Sequence, residues 1–323
     1  MCGLLNVSFA AGLGTETGNL EKYLLSLKYG DQDDNRWKPP SAQNLIDFAS
    51  AFDHVLAGEY VLADQFAANA GYEVVQFIDT AHGPAHTYYL LQDVNAVPHP
   101  NASGGGTYVV NPVGRPVVIQ APHPVSDRYT GEQAIEALFT VGPRILMLAG
   151  TRRKSAKSIS SCTGDHRASD VVHTVDNYFY TAHERASRER ADTIFVQLHG
   201  FGTTSLKKLK KQCGVKTQRL VNLSEGVDRA TDPSAATFMH TLRRRLDADK
   251  NIKACIFGND TESLGGTTNT TGRLTNGSLD PCLANATTSS MRFVHVEQSY
   301  PVRSELRDVM AEHLQDAVRD YFP

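Results

Sequence analysis

The chain carries little that would tie it to nucleic acid, to a lipid bilayer or to a knuckle-type metal scaffold. Lys plus Arg number 32 against 35 Asp plus Glu, a net charge of −3, so it lacks the positive surplus that binding to a phosphate backbone or an anionic membrane uses. No apolar run approaches the roughly 18 residues of a membrane-spanning helix. Five cysteines stand at 2, 162, 213, 255 and 282 with no Cys-x-x-Cys pair, which removes the zinc-ribbon and thioredoxin spacings. No unit of about 20 to 50 residues recurs, so solenoids and propellers are set aside. Residues 1–14 show neither a basic n-region nor an apolar h-region, and the expectation is a chain in mature form or one without a signal peptide.

What is present is the composition of a globular protein, 41% hydrophobic and 21% charged over 323 residues, enough apolar material for a large core. Asn-x-Ser/Thr sequons begin at Asn6, Asn101, Asn222, Asn259, Asn269, Asn276 and Asn285, against about two expected by chance from the Asn, Ser and Thr content. That excess, with the cysteines, points to an exported, disulfide-bonded glycoprotein. Cys162/Cys213 and Cys255/Cys282 are the simplest pairing, with Cys2 free.

Along the chain, residues 1–70 read as a mostly helical extension or cap, with helices over 20–27 and 43–56. Runs at 74–78 and 88–91, flanking Gly83-Pro84, read as a hairpin. From there strands at 116–120, 144–148, 193–198, 219–223, 254–257 and 292–296 alternate with helices at 131–139, at 234–246, from a Ser169 cap, and from Ser304 onwards. This alternation predicts a three-layer α/β/α domain over 71–323, with a central mixed, mostly parallel sheet and an antiparallel edge at the hairpin.

In such sheets reactive groups gather beyond the carboxyl ends of strands. The strand 116–120 is followed by His123, Asp127 and Glu132, the strand 193–198 by His199, and the last strand by Glu297 and Arg303. Two His and one carboxylate on rigid strand ends form the ligand set of a catalytic zinc, which keeps a position open for water. Glu297, from a third strand, is then placed to act as a general base. Asp127 is favoured over Glu132 as the acidic ligand because it precedes the helix, and Glu132 is expected to orient a ligand from behind.

These residues resemble a known group. Asp127-Arg-Tyr-Thr130-Gly-Glu132-Gln-Ala134, Phe195-Val-Gln-Leu-His199-Gly-Phe and Val296-Glu297-Gln-Ser299 with Arg303 are similar to segments of the zinc-dependent carboxypeptidase-like superfamily, nearest its N-formylglutamate amidohydrolase and poly-γ-glutamate hydrolase branches. The similarity runs over roughly residues 72–320. It departs from the carboxypeptidase His-x-x-Glu pattern, since the acids follow His123 by four and nine positions. The resemblance implies zinc held by His123, Asp127 and His199, with Glu297 as base. It also implies an Arg, Arg153 or Arg303, that meets the carboxylate of a peptide or N-acyl amino acid substrate.

Two other readings compete. A secreted protein could keep this fold and bind peptide or glycan without turnover. Leu198-His199-Gly-Phe-Gly also resembles the oxyanion segment of serine α/β-hydrolases, but no Gly-x-Ser-x-Gly occurs in the chain. His166, His173 and His183 are expected on a helix surface, with His173 the one closest to a pocket.

Overall fold

The computed structural model describes residues 13–27, 37–94, 104–162 and 164–323; Cys2 and the sequons at Asn6 and Asn101 lie outside them. Ten strands form one sheet: β1 (Gly14–Gly18), β2 (Tyr72–Asp79), β3 (His86–Asp93), β4 (Thr107–Val110), β5 (Arg115–Ala121), β6 (Pro143–Leu148), β7 (Ile194–Gly200), β8 (Leu220–Ser224), β9 (Lys253–Ile256) and β10 (Phe293–Gln298), in the order β1-β2-β3-β4-β6-β5-β7-β10-β8-β9. The central run β6-β5-β7-β10 is parallel throughout. The β2–β3 hairpin and β4 are antiparallel, as is β8 against β10. The sheet is therefore mixed and mostly parallel, with helices on both faces.

Alternate strand residues feed two cores, as the two-residue period of a strand requires. Val117, Ile119, Val196, Leu198, Val294 and Val296 face α1 (Leu20–Leu25), α4 (Thr130–Val141), α7 (Phe238–Ala248) and α10 (Arg307–Tyr321). Val118, Met147, Phe195 and Phe293 face α2 (Ala42–Ala57), α3 (Tyr60–Asn69) and α5 (Tyr178–Glu189). The segment expected as an N-terminal extension thus supplies β1, paired in parallel with β2, as well as α1 on one face of the sheet and α2 and α3 on the other. Among the described residues no helix is long and apolar enough to cross a membrane.

Several expectations need correction. The helix expected from Ser169 begins only at Tyr178, capped by the Asn177 side chain, because the stretch before it is held in turns by its own polar side chains. The C-terminal helix is two elements, α9 (Tyr300–Glu305) and α10. The disulfides join Cys162 to Cys282 and Cys213 to Cys255. Cys213, the C-cap of α6 (Thr203–Gln212), meets Cys255 of β9, which leaves Cys162 to reach Cys282 across 120 positions, so chain proximity was a poor guide to pairing. The sequon excess is in part structural: Asn222, Asn269 and Asn276 are buried and donate hydrogen bonds from their side-chain amides.

Candidate metal centre

β5 connects to β6 on one side, while β7 lies on the other, so the carboxyl ends of β5 and β7 flank a switch point in strand order, where open α/β sheets form a crevice. His123 and Asp127 follow β5, and His199 lies near the end of β7. Glu297 of β10 stands beside His199 in register. All three of His123, Asp127 and His199 are buried, and His123 and Asp127 are only 2% exposed.

Their donor atoms converge on one carboxylate oxygen. Asp127 Oδ2 lies 3.2 Å from His123 Nδ1 and 3.4 Å from His199 Nδ1, and it accepts the Gly200 N–H at 3.2 Å. The opposite nitrogens are held from behind, His123 Nε2 by Asp170 Oδ1 at 2.9 Å and His199 Nε2 by Gln197 Oε1 at 2.7 Å. A ring nitrogen fixed by an oxygen on one side and left to coordinate on the other is the usual arrangement of a metal-bound histidine.

For His199 the tautomer can be traced through the surrounding network. Asn269 caps α8 (Thr270–Thr275) with its side-chain oxygen, accepting the N–H groups of Thr271 and Gly272, so its Nδ2 must point the other way. That Nδ2 donates to Gln197 Oε1, which makes the Gln197 oxygen the atom facing His199, while Gln197 Nε2 donates to Gln120 and Thr271. His199 therefore carries its proton on Nε2, and burial with the nearby His123 holds its pKa down to about 4, so the ring is neutral. Its Nδ1 lone pair then faces a carboxylate oxygen with no proton between them. Two acceptors at that separation could share a cation.

The charges agree. Burial alone would keep His123 neutral, but Asp170 and Asp127 outweigh it and lift its pKa to about 9. Burial would likewise raise Asp127, yet His123 above all, with Arg153, holds it well below the usual carboxylate range. The pair of carboxylates thus draws positive charge to the space between the rings. Asp127 Oδ1 accepts no hydrogen bond, although Arg153 forms an ion pair with it at 3.3 Å. His123, Asp127 and His199 could hold a metal ion, and a second triplet, His199, His295 and Glu297, shares His199 with it.

The Glu297 side chain is 12% exposed, and its largely desolvated position together with Asp127 pushes its pKa up to about 8. Its Oε2 has no hydrogen-bond partner, and its Oε1 is 3.9 Å from His295 Nε2. Arg153 is 39% exposed, with its guanidinium at the rim of the cluster. Arg303 is placed differently: buried, it donates to the backbone carbonyls of Arg128, Phe201 and Gln298 and packs so closely on Gly200 that a Cβ there would overlap it. Glu132 also lies apart. It lines a cavity of about 410 Å³ with Pro124, Arg128, Tyr129 and Arg152, and no hydrogen bond or ion pair among the described residues joins it to the cluster. The position expected for Glu132, behind a ligand, is occupied by Asp170 and Gln197.

Asp170, Gln197, Asn269 and His295 were missed in the sequence. The one available signal was the spacing of two in Gln197-x-His199 and His295-x-Glu297, which puts each pair on one face of its strand. His183 was expected on a helix surface, yet it is fully buried, with Nδ1 accepting from Gln120 and Nε2 donating to Thr275.

No family model and no curated protein matches the chain. Among solved structures it is similar to a bacteriophage poly-γ-glutamate hydrolase, at 15% sequence identity over 65% of this chain and 86% of that one, with a TM-score of 0.38. At that level of likeness the chemistry rests on the residues of the site itself.

Proposed function

We propose that the chain is a zinc-dependent hydrolase that cleaves an amide bond in a peptide or N-acyl amino acid bearing a carboxylate, with His123 Nδ1, Asp127 Oδ2 and His199 Nδ1 as the ligands. The observation that carries this reading is the His199 Nδ1 lone pair turned towards Asp127 Oδ2, with Nε2 committed to Gln197. A mixed His and carboxylate donor set suits zinc, which when bound would acidify an attacking water and polarise the scissile carbonyl.

The rest of the chemistry falls to the chain's own groups. Glu297 takes the water's proton at Oε2, which has no other partner, and returns it to the leaving amine. Its elevated pKa suits a group that must both accept and release a proton near neutrality. Asp170 and Gln197 keep the two imidazoles in the ligating tautomer and orientation. Arg153, at the rim, has the planar fork that receives a substrate carboxylate. Two disulfides favour an exported protein working in an oxidising compartment.

The test is elemental analysis and turnover of wild type, His199→Ala and Glu297→Gln, screened on N-acyl amino acids and short peptides. About one zinc per chain in wild type and Glu297→Gln, none at this site in His199→Ala, and at least ~100-fold lower turnover in Glu297→Gln are expected. A wild type that takes up no zinc, or a fully active Glu297→Gln, would overturn the mechanism.

A further inference from the structure

Behind His123 lies a second group of donors, of which the hydrolytic reading uses only Asp170. Asp170 Oδ1, which holds His123 Nε2, is also 3.0 Å from His173 Nδ1, and Asp170 Oδ2 is 3.4 Å from His166 Nδ1. The His166 and His173 rings lie face to face, 3.5 Å between centroids and 5° from parallel. Both therefore aim Nδ1 at the same carboxylate, and one donor atom from each of the three residues falls within 4.8 Å of the others.

The backbone maintains this grouping without a helix. Asp170 N–H donates to the Arg167 carbonyl and His173 N–H to that of Asp170, while Ser160 bonds the chain at both His166 and His173. Nearby, Cys162 is tied to Cys282. Thr268 Oγ1 lies 3.4 Å from His173 Nε2, the nitrogen that faces away from Asp170. His166 is 38% exposed, so the group opens to solvent, whereas the first site is closed.

We propose that His166, Asp170 and His173 form a second binding site for a borderline divalent cation such as Zn2+, Co2+ or Ni2+, on the solvent side of the first and joined to it through Asp170. Two imidazoles and one carboxylate suit these ions better than Mg2+ or Ca2+, which take oxygen donors. The carboxylate has lone pairs for both tasks, holding His123 and ligating the second ion. An open, half-exposed site of three protein donors binds more weakly than the buried one. A cation there also draws charge from the carboxylate that supports His123, so the two ions weaken each other, and by the same factor in both directions. Only this coupling rests on the function proposed above; the second site stands on its own donors.

The experiment is Co2+ titration of the metal-stripped full chain, followed by calorimetry and visible absorption, on wild type, His166→Phe, His173→Phe and His199→Ala. The Phe substitutions keep a flat ring in the stack while removing the nitrogen. Wild type is expected to bind two Co2+ with affinities at least ~10-fold apart. Each Phe variant should keep the tight ion and lose the weak one, and His199→Ala should keep the weak one. Saturation of wild type at one ion that His199→Ala abolishes, or an unchanged count in both Phe variants, overturns the second site. If instead the Phe variants lose an ion while His199→Ala loses none, the second site holds and the first reading fails.

Discussion

The side-chain oxygen of Asn269 caps a six-residue helix, and its amide nitrogen thereby decides which nitrogen of His199, on another element, keeps its proton. Gln197 is the link, since its oxygen can face only one way while Asn269 Nδ2 donates to it. The lone pair that faces Asp127 is thus set by a residue that reaches His199 only through Gln197.

Asn269→Ala should accordingly lower metal affinity by about 10- to 100-fold, because Gln197 is then free to turn its amide and His199 to exchange tautomers. The loss of the cap should separately cost about 1 kcal/mol of stability. Metal affinity by competition with a chelator and stability by urea denaturation read the two effects apart. A variant with reduced stability and unchanged affinity would show that the network does not orient His199.

Arg153 and Arg303 should separate cleanly. Arg303 fills its donors with three backbone carbonyls and is buried, so Arg303→Ala leaves those acceptors unpaired and should destabilise the fold by roughly 2–5 kcal/mol. Arg153 is exposed at the rim, so Arg153→Ala should leave the melting temperature nearly unchanged and raise KM by about 10-fold or more for a carboxylate-bearing substrate, with little effect on the ester or amide of that substrate. Equal losses on charged and uncharged substrates would remove Arg153 from recognition.

The parts of this site that could be read in the sequence are those that depend on short-range pattern. Runs such as Val117 to Ile119 and Phe195 to Leu198 announce buried strands, and a His just beyond each strand end is where an open sheet exposes its reactive groups. This brought out the order of β5, β7 and β10 and the grouping of His123, Asp127 and His199. Residues whose role depends on distant partners were hidden. Asp170 reaches His123 across 47 positions, and Asn269 reaches Gln197 across 72. Nothing local distinguishes Asn269 from a glycosylation sequon, or His183 from an exposed helical His. The antiparallel turn of β8 against β10 was equally invisible, since a strand and helix alternation looks the same in either direction.

The cysteine pairing predicts unequal consequences. Peptide mapping without reduction should yield the Cys162–Cys282 and Cys213–Cys255 cross-links. Opening either bridge should cost about 2–4 kcal/mol. Only Cys282→Ser should also weaken metal binding, because Cys162 borders the turns that carry Asp170, whereas Cys213 and Cys255 fasten α6 to β9. Equal metal affinity in Cys282→Ser and Cys255→Ser would uncouple the disulfide from the site.

His183 predicts an acid-sensitive fold. Buried on α5 and accepting at Nδ1 from Gln120, it has a pKa that burial and the nearby Arg292 lower to about 3. Unfolded, the same imidazole titrates near its ordinary 6.5. The unfolded chain therefore binds more protons below that value, and stability must rise with pH across the window. The contribution is present in full above about pH 6.5 and is lost as pH falls towards 3, by on the order of 5 kcal/mol if the whole shift is realised. His183→Gln keeps an amide that can serve Gln120 and Thr275 but cannot take up a proton. Urea denaturation of both proteins between pH 7 and pH 4 should show a shallower loss of stability in the variant, and the two curves should converge towards the acid end. Parallel curves would mean that His183 protonation has no part in the acid response.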